Sequence, residues 1–222
     1  LLICGYRNDD PITDVGRVYA VFAASLTAPG VRSLGTADIT FVGEDENNRL
    51  GHALGAAGDM DGDGVGDLLI GAYGHAHFGM DTGKLYIIPG DTITGPGERL
   101  LGSNEYMFLG EAESDAAAHA VRTAFDVDGD GLDDIVIGSQ HLKNPSGDQV
   151  GGIYVFLAKD LGDVVPINLA GADQKILGEE SSDYAGCAVS GGGDVNGDGY
   201  DDILVGAHYA ESGGMTYLIF GE

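Results

Sequence analysis

The chain has 222 residues and a net charge of −26, because 36 Asp and Glu residues stand against 10 Lys and Arg residues. This acidity disfavours nucleic acids and anionic membranes as partners, and it suits a secreted, calcium-rich or saline setting. No run of 18 or more apolar residues occurs, so the sequence predicts no transmembrane helix and no direct membrane insertion. The length permits one large or two small domains, and the 39 glycines are typical of turn-rich β-structure.

The first predicted elements are two short strands. Residues 1–6 align with residues 68–73, an apolar strand that directly follows an Asp-rich loop further along the chain. Residues 16–22 match the alternating, Tyr-bearing strand that recurs later in the chain, so they predict a further strand of that kind. Residue 1 therefore corresponds to the residue that directly follows the ninth position of an Asp-rich loop. We expect the chain to begin and end within structural units, as a segment of a longer protein or as a chain that completes its units with other chains.

From residue 41 onwards the chain repeats one pattern three times. A Phe-Val-Gly-Glu-like segment precedes a short apolar strand, an Asp-rich loop of nine residues, a second apolar strand, a polar loop and an alternating strand that carries a Tyr. The loops begin at Asp59, Asp126 and Asp194, so their starts lie 67 and 68 residues apart. Repetition at a fixed period indicates a repeated structural unit.

Each unit is predicted to contain four strands. The inner strand precedes the Asp-rich loop, the second follows it, the third carries the Tyr, and the fourth is the Phe-Val-Gly-Glu-like segment. Sheets of four strands at this period predict an all-β fold, a β-propeller of four-stranded antiparallel blades. The predicted units form one array of about 3.5 blades with 3, 4, 4 and 3 strands: a partial blade at 1–43, blades at 44–110 and 111–178, and a partial blade at 179–222.

The chemistry of the three loops predicts calcium. Ca²⁺ takes six to eight oxygen ligands at about 2.3–2.6 Å, and each loop offers side-chain oxygens at positions 1, 3, 5 and 9 with a backbone carbonyl at position 7. The predicted ligands are Asp59, Asp61, Asp63, Val65 and Asp67 in the first loop, Asp126, Asp128, Asp130, Leu132 and Asp134 in the second, and Asp194, Asn196, Asp198, Tyr200 and Asp202 in the third. Glycines at positions 4 and 6 permit the left-handed turns that wrap the chain around an ion.

Other interpretations of the loops are weaker. Asp-Gly is a common turn dipeptide, but three copies in matching positions disfavour simple solvated turns. Magnesium prefers octahedral geometry and tends to keep its waters. EF-hands are excluded, because the twelfth position, which would need a bidentate Glu, holds Ile70, Ile137 and Val205.

Histidines and cysteines form two weaker constellations. His52, His119 and Cys187 occupy the same position in successive inner strands, which permits a soft-metal site but is explained more simply by packing. Cys4 and Cys187 lie too far apart along the array for a disulfide, so we expect two buried thiols.

Four more histidine positions fall in the loops between second and third strands, namely His75, His77, His141 and His208. These loops should share one rim, opposite the calcium loops, with the turns at 44–49, 111–116 and 179–184. We expect exposed loop histidines there and regard these loops as the binding loops. The sequence holds no nucleophile elbow, phosphate-binding Gly loop, HExxH or CxxC motif, so the prediction is that the chain is not an enzyme.

The whole pattern resembles the FG-GAP repeat of the integrin α-subunit propeller and its bacterial relatives. The "FG" of that family corresponds to residues 50–51, 117–118 and 185–186, the "GAP" to residues 71–73, 138–140 and 206–208, and the calcium loop lies between them. The resemblance implies a propeller that is usually seven-bladed, with calcium on one face. It also implies an extracellular or cell-surface location and a protein or glycan ligand on the opposite rim.

Three hypotheses about function follow. The first is a calcium-stabilised extracellular propeller that acts as a ligand-binding or cell-adhesion module, with three structural Ca²⁺ ions. The second is a structural subunit of a surface layer or appendage, assembled through incomplete end blades that pair with further blades of neighbouring chains. The third is the non-catalytic part of a secreted enzyme, such as a polysaccharide lyase or phospholipase, whose catalytic residues would lie outside this segment or on the rim.

Overall fold

The computed structural model describes residues 1–8, 13–26, 29–60, 62–102, 105–123, 125–157, 166–211 and 213–222. These residues form sixteen strands and four 3-10 turns, without an α-helix. The strands are β1 (Leu2–Gly5), β2 (Arg17–Ala20), β3 (Ile39–Val42), β4 (Ala53–Gly58), β5 (Asp67–Ala72), β6 (Lys84–Ile88), β7 (Gly97–Leu100), β8 (Tyr106–Leu109), β9 (Ala117–Arg122), β10 (Ile135–Ser139), β11 (Gly152–Phe156), β12 (Pro166–Asn168), β13 (Gln174–Leu177), β14 (Ala185–Gly193), β15 (Asp202–Ala207) and β16 (Met215–Ile219). The 3-10 turns are Ala23–Ser25, Leu34–Thr36, Gly90–Thr92 and Leu169–Gly171.

The strands form four sheets that follow one another along the chain. Their strand orders are β1-β2-β3-β7, β4-β5-β6-β8-β12, β9-β10-β11-β13 and β14-β15-β16. Consecutive repeat strands pair antiparallel, as in β5–β6, where Leu69 lies opposite Ile87. The prediction of an all-β fold built from successive sheets is confirmed, and the arrangement of these sheets as a propeller stays a prediction.

Apolar cores lie between successive sheets. In β6, Leu85 and Ile87 belong to the cluster shared with the third sheet, whereas Tyr86 and Ile88 belong to the cluster shared with the first sheet. The same alternation occurs in β10 and β11, whose side chains turn in alternation towards the second and the fourth sheet. Because side chains alternate across a strand, a middle strand that is apolar throughout is buried on both of its faces.

Two strands were not predicted from the sequence. β7 pairs in parallel with β3, and β12 pairs in parallel with β8. Each comes from the segment between the third and fourth strands of one sheet and adds to the outer edge of the preceding sheet. The observed sheets therefore have 4, 5, 4 and 3 strands instead of 3, 4, 4 and 3. The exposed residues of Gly97–Leu100 show no apolar alternation, so this strand depends on its neighbour for its conformation.

A Tyr–Glu hydrogen bond also ties each sheet to the next. The Tyr lies in β6, β11 or β16, and the Glu lies two residues after the end of β3, β8 or β13 in the preceding sheet. The bonds run from Tyr86 to Glu44 (2.5 Å), from Tyr154 to Glu111 (3.1 Å) and from Tyr217 to Glu179 (3.2 Å). Burial raises the pKa of the Tyr86 and Tyr154 phenols, so these rings remain protonated donors.

Candidate metal centre

Each Asp-rich loop joins the inner strand of a sheet to its second strand. The loops connect β4 to β5, β9 to β10 and β14 to β15, so all three lie at the same end of their sheets. The glycines at positions 4 and 6 of every loop adopt positive φ values between 75° and 99°. L-residues with a side chain rarely adopt this backbone conformation, which explains why the two positions are glycine in each copy.

The first aspartate of each loop organises the turn. Its carboxylate accepts hydrogen bonds from backbone N–H groups further along the same loop. The bond from position 6 recurs in all three copies, from Gly64 to Asp59 (2.8 Å), from Gly131 to Asp126 (2.8 Å) and from Gly199 to Asp194 (2.9 Å). These bonds draw the loop around one carboxylate.

The ninth aspartate closes the loop from inside the sheet. Asp67, Asp134 and Asp202 are at most 2% exposed. Each accepts the backbone N–H of the second loop residue at 2.8 Å; the donors are Met60, Val127 and Val195. A carboxylate oxygen has two lone pairs, so an oxygen that accepts one N–H group can also bind a metal ion.

The donor atoms are brought closest together in the second loop. Among the described residues, the single set of three or more His, Cys, Asp and Glu side chains whose donor atoms all lie within 4.8 Å is Asp126, Asp128 and Asp130. Asp134 lies outside this set. The three carboxylates offer hard oxygen donors, the type that Ca²⁺ prefers, so the residues present fit the ion.

In the first and third loops, the predicted ligand side chains do not form such a set among the described residues. Asp61, the third position of the first loop, lies outside the described residues. The third loop has Asn196 at this position, and its side-chain amide donates to Asp198 at 2.7 Å. The side chains of Val65 and Leu132, at position 7, are 43% and 53% exposed. The ligand assignments in all three loops stay predictions.

The opposite ends of the sheets form the rim expected from the sequence. The loops after second strands contact the turns that lead into inner strands: Asn48 donates to His75 at 2.9 Å, and Arg49 pairs with Asp81 at 3.1 Å. His75 is 6% exposed, so the expectation of an exposed histidine was wrong at this position, because the Asn48 amide holds the ring inside the turn.

His52, which directly precedes β4, and His119, which lies in β9, form a contact pair. His52 Nδ1 donates to the carbonyl of His119 at 3.1 Å, and the two ring centroids lie 4.3 Å apart. Burial lowers the pKa of His52 and lowers that of His119 to about 4. Cys187 instead directs its thiol to the carbonyl of Gly206, and it does not join the histidines in a three-donor group.

The expectation of two buried thiols was wrong. Cys4 is exposed and Cys187 is half-buried, and neither forms a disulfide. Cys4 lies in β1, which forms an edge of its sheet. No helix among the described residues is both long and apolar enough to cross a membrane.

Comparisons with known proteins match the three segments of the chain that contain the Asp-rich loops. The FG-GAP repeat model matches residues 51–88, 117–156 and 186–219. Integrin alpha-PS2 of Drosophila melanogaster is 32% identical over 168 residues, which cover 73% of this chain and 12% of the integrin. Integrin alpha-6 of Gallus gallus is 34% identical over 122 residues, which cover 54% of this chain and 10% of the integrin.

A relative of another kind is the phosphatidylinositol-glycan-specific phospholipase D of Bos taurus. It is 27% identical over 168 residues, which cover 75% of this chain and 19% of the phospholipase. The chain thus spans between about a tenth and a fifth of the length of these relatives. The three matches to the repeat model make up about half of the chain, and each contains one Asp-rich loop. The chain therefore belongs to the FG-GAP repeat family.

Proposed function

We propose that the chain is part of a calcium-stabilised extracellular β-propeller that acts as a ligand-binding or cell-adhesion module. The observation that carries this proposal is the recurrence of one loop geometry at the same end of three consecutive sheets. The position-6 N–H to position-1 carboxylate bond and the position-2 N–H to position-9 carboxylate bond occur in every copy. Three FG-GAP matches and the integrin relatives support it.

Calcium would have a structural role at these loops. The ligand set predicted from the sequence would hold it, with Asp126, Asp128 and Asp130 already grouped. A bound Ca²⁺ supplies positive charge among carboxylates that otherwise repel one another by about 1–4 kcal/mol per pair. The buried ninth aspartate begins or directly precedes the second strand, and the first aspartate follows the inner strand, so a bound ion would clamp these two strands together. Three ions would change the net charge by six units, from −26 to −20.

The rim opposite the loops would hold the ligand. His141, Tyr184, His208 and Tyr209 form a continuous set of rings that spans the third and fourth sheets. Tyr184 contacts His141 at 5.2 Å, His208 at 5.7 Å and Tyr209 at 5.4 Å between ring centroids. Tyr209 is 63% exposed. Aromatic rings are enriched in binding interfaces because they bury a large area at low entropic cost, so this surface suits a protein or glycan ligand.

A binding panel tests this function. The chain would be applied to immobilised extracellular-matrix proteins and glycans in millimolar calcium and in EGTA. We expect calcium-dependent binding that is lost in the combined variant Tyr184→Ser/Tyr209→Ser. The matched control is Val195→Ser, which changes a 58% exposed side chain on the calcium-loop side. Equal binding by the native chain and the rim variant would contradict the rim assignment, and no binding to any member of the panel would contradict the adhesion role.

A second candidate is a non-catalytic part of a secreted enzyme, which the similarity to the bovine phospholipase D favours. The discriminating measurement is hydrolysis of a phosphatidylinositol-glycan substrate by the chain alone and by the full protein that contains it. This candidate requires activity in the full protein that survives substitution of Tyr184 and Tyr209.

A further inference from the structure

The second and third Asp-rich loops touch each other directly. The backbone N–H of Asp201 donates to the carbonyl of Asp126 at 2.8 Å. The backbone N–H of Asp126 donates in return to Asp201 Oδ2 at 3.3 Å. Asp126 is the first aspartate of the second loop, and Asp201 is the eighth residue of the third loop. Two hydrogen bonds therefore fix the first ligand position of one loop against the other loop.

The ring of Tyr200 covers the turn of the second loop. A Cβ atom placed on Gly129 would lie only 2.7 Å from Cε1 of this ring. Gly129 is position 4 of the second loop, and its N–H donates to Asp126 at 2.7 Å. The ring thus packs against the turn that wraps around the first aspartate.

The first and second loops lack the corresponding ring contact. A Cβ atom on Gly62, the position-4 glycine of the first loop, would meet nothing within 4 Å. Leu132, the counterpart of Tyr200 in the second loop, is 53% exposed. The carboxylate of Asp133 instead approaches Gly58, which lies at the end of β4 just before the first loop. The ring contact therefore distinguishes the second and third loops as a pair.

We propose that Tyr200 and Asp201 are positioning residues of the second calcium loop, so that ion binding at the second and third loops is coupled. This inference rests on the proposed calcium function. The carbonyl of Tyr200 is the predicted position-7 ligand of the third loop, and its side chain covers the second loop. An ion in either loop restricts the motion of this one residue, so the second ion meets a loop that is already partly ordered. Coupling of this kind is reciprocal.

Native mass spectrometry over a calcium titration tests the coupling, because it counts chains that carry zero, one, two or three ions. The variants are Tyr200→Ala, Tyr200→Phe and the matched control Leu132→Ala, which truncates the same loop position where no ring contact exists. None of these substitutions removes a proposed ligand atom, because position 7 contributes its backbone carbonyl. Circular dichroism at saturating calcium checks that each variant is folded. Asp201→Ala serves as a second test of the contact if Tyr200→Ala does not fold.

For the native chain we expect species with two ions to be more abundant than independent binding allows. Tyr200→Ala should lose this excess and bind two of its ions about fivefold more weakly, at the lower end of measured coupling effects. Tyr200→Phe keeps the ring and should match the native chain, as should Leu132→Ala. Three ions bound independently in the native chain, or identical titrations of Tyr200→Ala and Leu132→Ala, would overturn the coupling and leave the calcium function standing. A native chain that binds no ion would overturn both.

Discussion

The backbone N–H of Val127 donates to Oδ2 of Asp134 at 2.8 Å, which closes the nine-residue loop from its second residue to its last. Asp134 is fully buried, so this carboxylate has two roles. It satisfies a backbone donor whether or not an ion is present, and it is a predicted calcium ligand.

Two substitutions separate these roles. In EGTA, Asp134→Ala should lower the free energy of unfolding by about 1–3 kcal/mol, because a buried N–H loses its acceptor. Asp134→Asn keeps an acceptor oxygen and should cost less than about 1 kcal/mol in EGTA. In calcium, both variants should lose in addition the stabilisation that the second ion provides. Urea denaturation in the two buffers measures this, and equal losses for the Ala and Asn variants in EGTA would argue against the structural role.

Two of the Tyr–Glu hydrogen bonds between sheets differ mainly in burial, so they can be compared directly. Tyr154 is fully buried and donates to Glu111, whereas Tyr217 makes the equivalent bond to Glu179 in an exposed setting. Tyr154→Phe should lower the free energy of unfolding by about 1–1.5 kcal/mol. Tyr217→Phe should change it by less than about 0.5 kcal/mol, because water replaces the lost partner. Chemical denaturation of both variants checks the difference, and a cost at Tyr217 as large as that at Tyr154 would show that burial does not set the strength of the bond.

Gly186 lies where the inner strand of the fourth sheet meets the third sheet. Its φ is +79°, and an added Cβ atom would lie 2.0 Å from the carbonyl oxygen of Gly152. Gly186→Ala should therefore destabilise the chain by more than about 2 kcal/mol, from backbone strain and the clash together. Gly171→Ala is the control, because a Cβ atom there meets nothing within 4 Å. A melting temperature of Gly186→Ala equal to that of the control would contradict the observed close approach.

Asp115, in the turn before β9, should make the free energy of unfolding depend on pH. Burial raises the pKa of this carboxyl to about 6, and its Oδ1 has no hydrogen-bond partner among the described residues. Since the folded pKa lies above the unfolded value, stability should fall as pH rises from about 4 to about 6 and stay lower above that range. The equivalent residue in the preceding turn is Asn48, which is uncharged.

Asp115→Asn should remove this dependence. At pH 7.5 we expect the variant to be about 1–3 kcal/mol more stable relative to the native chain than it is at pH 4. The measurement is urea denaturation at both pH values in buffers from which a chelating resin has removed calcium, which keeps calcium binding out of the comparison. A difference between variant and native chain that does not change with pH would contradict the raised pKa.

The sequence predicts those parts of the structure that depend on local chemistry. The three Asp-rich loops are recognisable because their carboxylates and glycines recur at fixed positions, and the buried runs after Asp67, Asp134 and Asp202 read as strands because they are apolar and end in Gly. These predictions are confirmed by the positions of β5, β10 and β15.

Features that depend on contacts between repeats were missed. β7 and β12 become strands because an open sheet edge of the preceding unit accepts them. His75 is buried because Asn48, 27 residues earlier, accommodates its ring. The Tyr200–Gly129 contact follows from the packing of one loop on another. The recurrence of Tyr and Glu at separations of 42, 43 and 38 residues was a signal that could have revealed the Tyr–Glu bonds.

Differential scanning calorimetry of the chain in millimolar calcium and in EGTA tests the central claim most directly. A site whose Kd lies tenfold below the free calcium concentration adds about 1.4 kcal/mol, so three such sites add about 4 kcal/mol. For a chain of this size we expect the melting temperature to fall by about 8–16 °C in EGTA and to recover when calcium is restored. A melting temperature that is the same in both buffers would contradict the claim that these loops hold stabilising calcium ions.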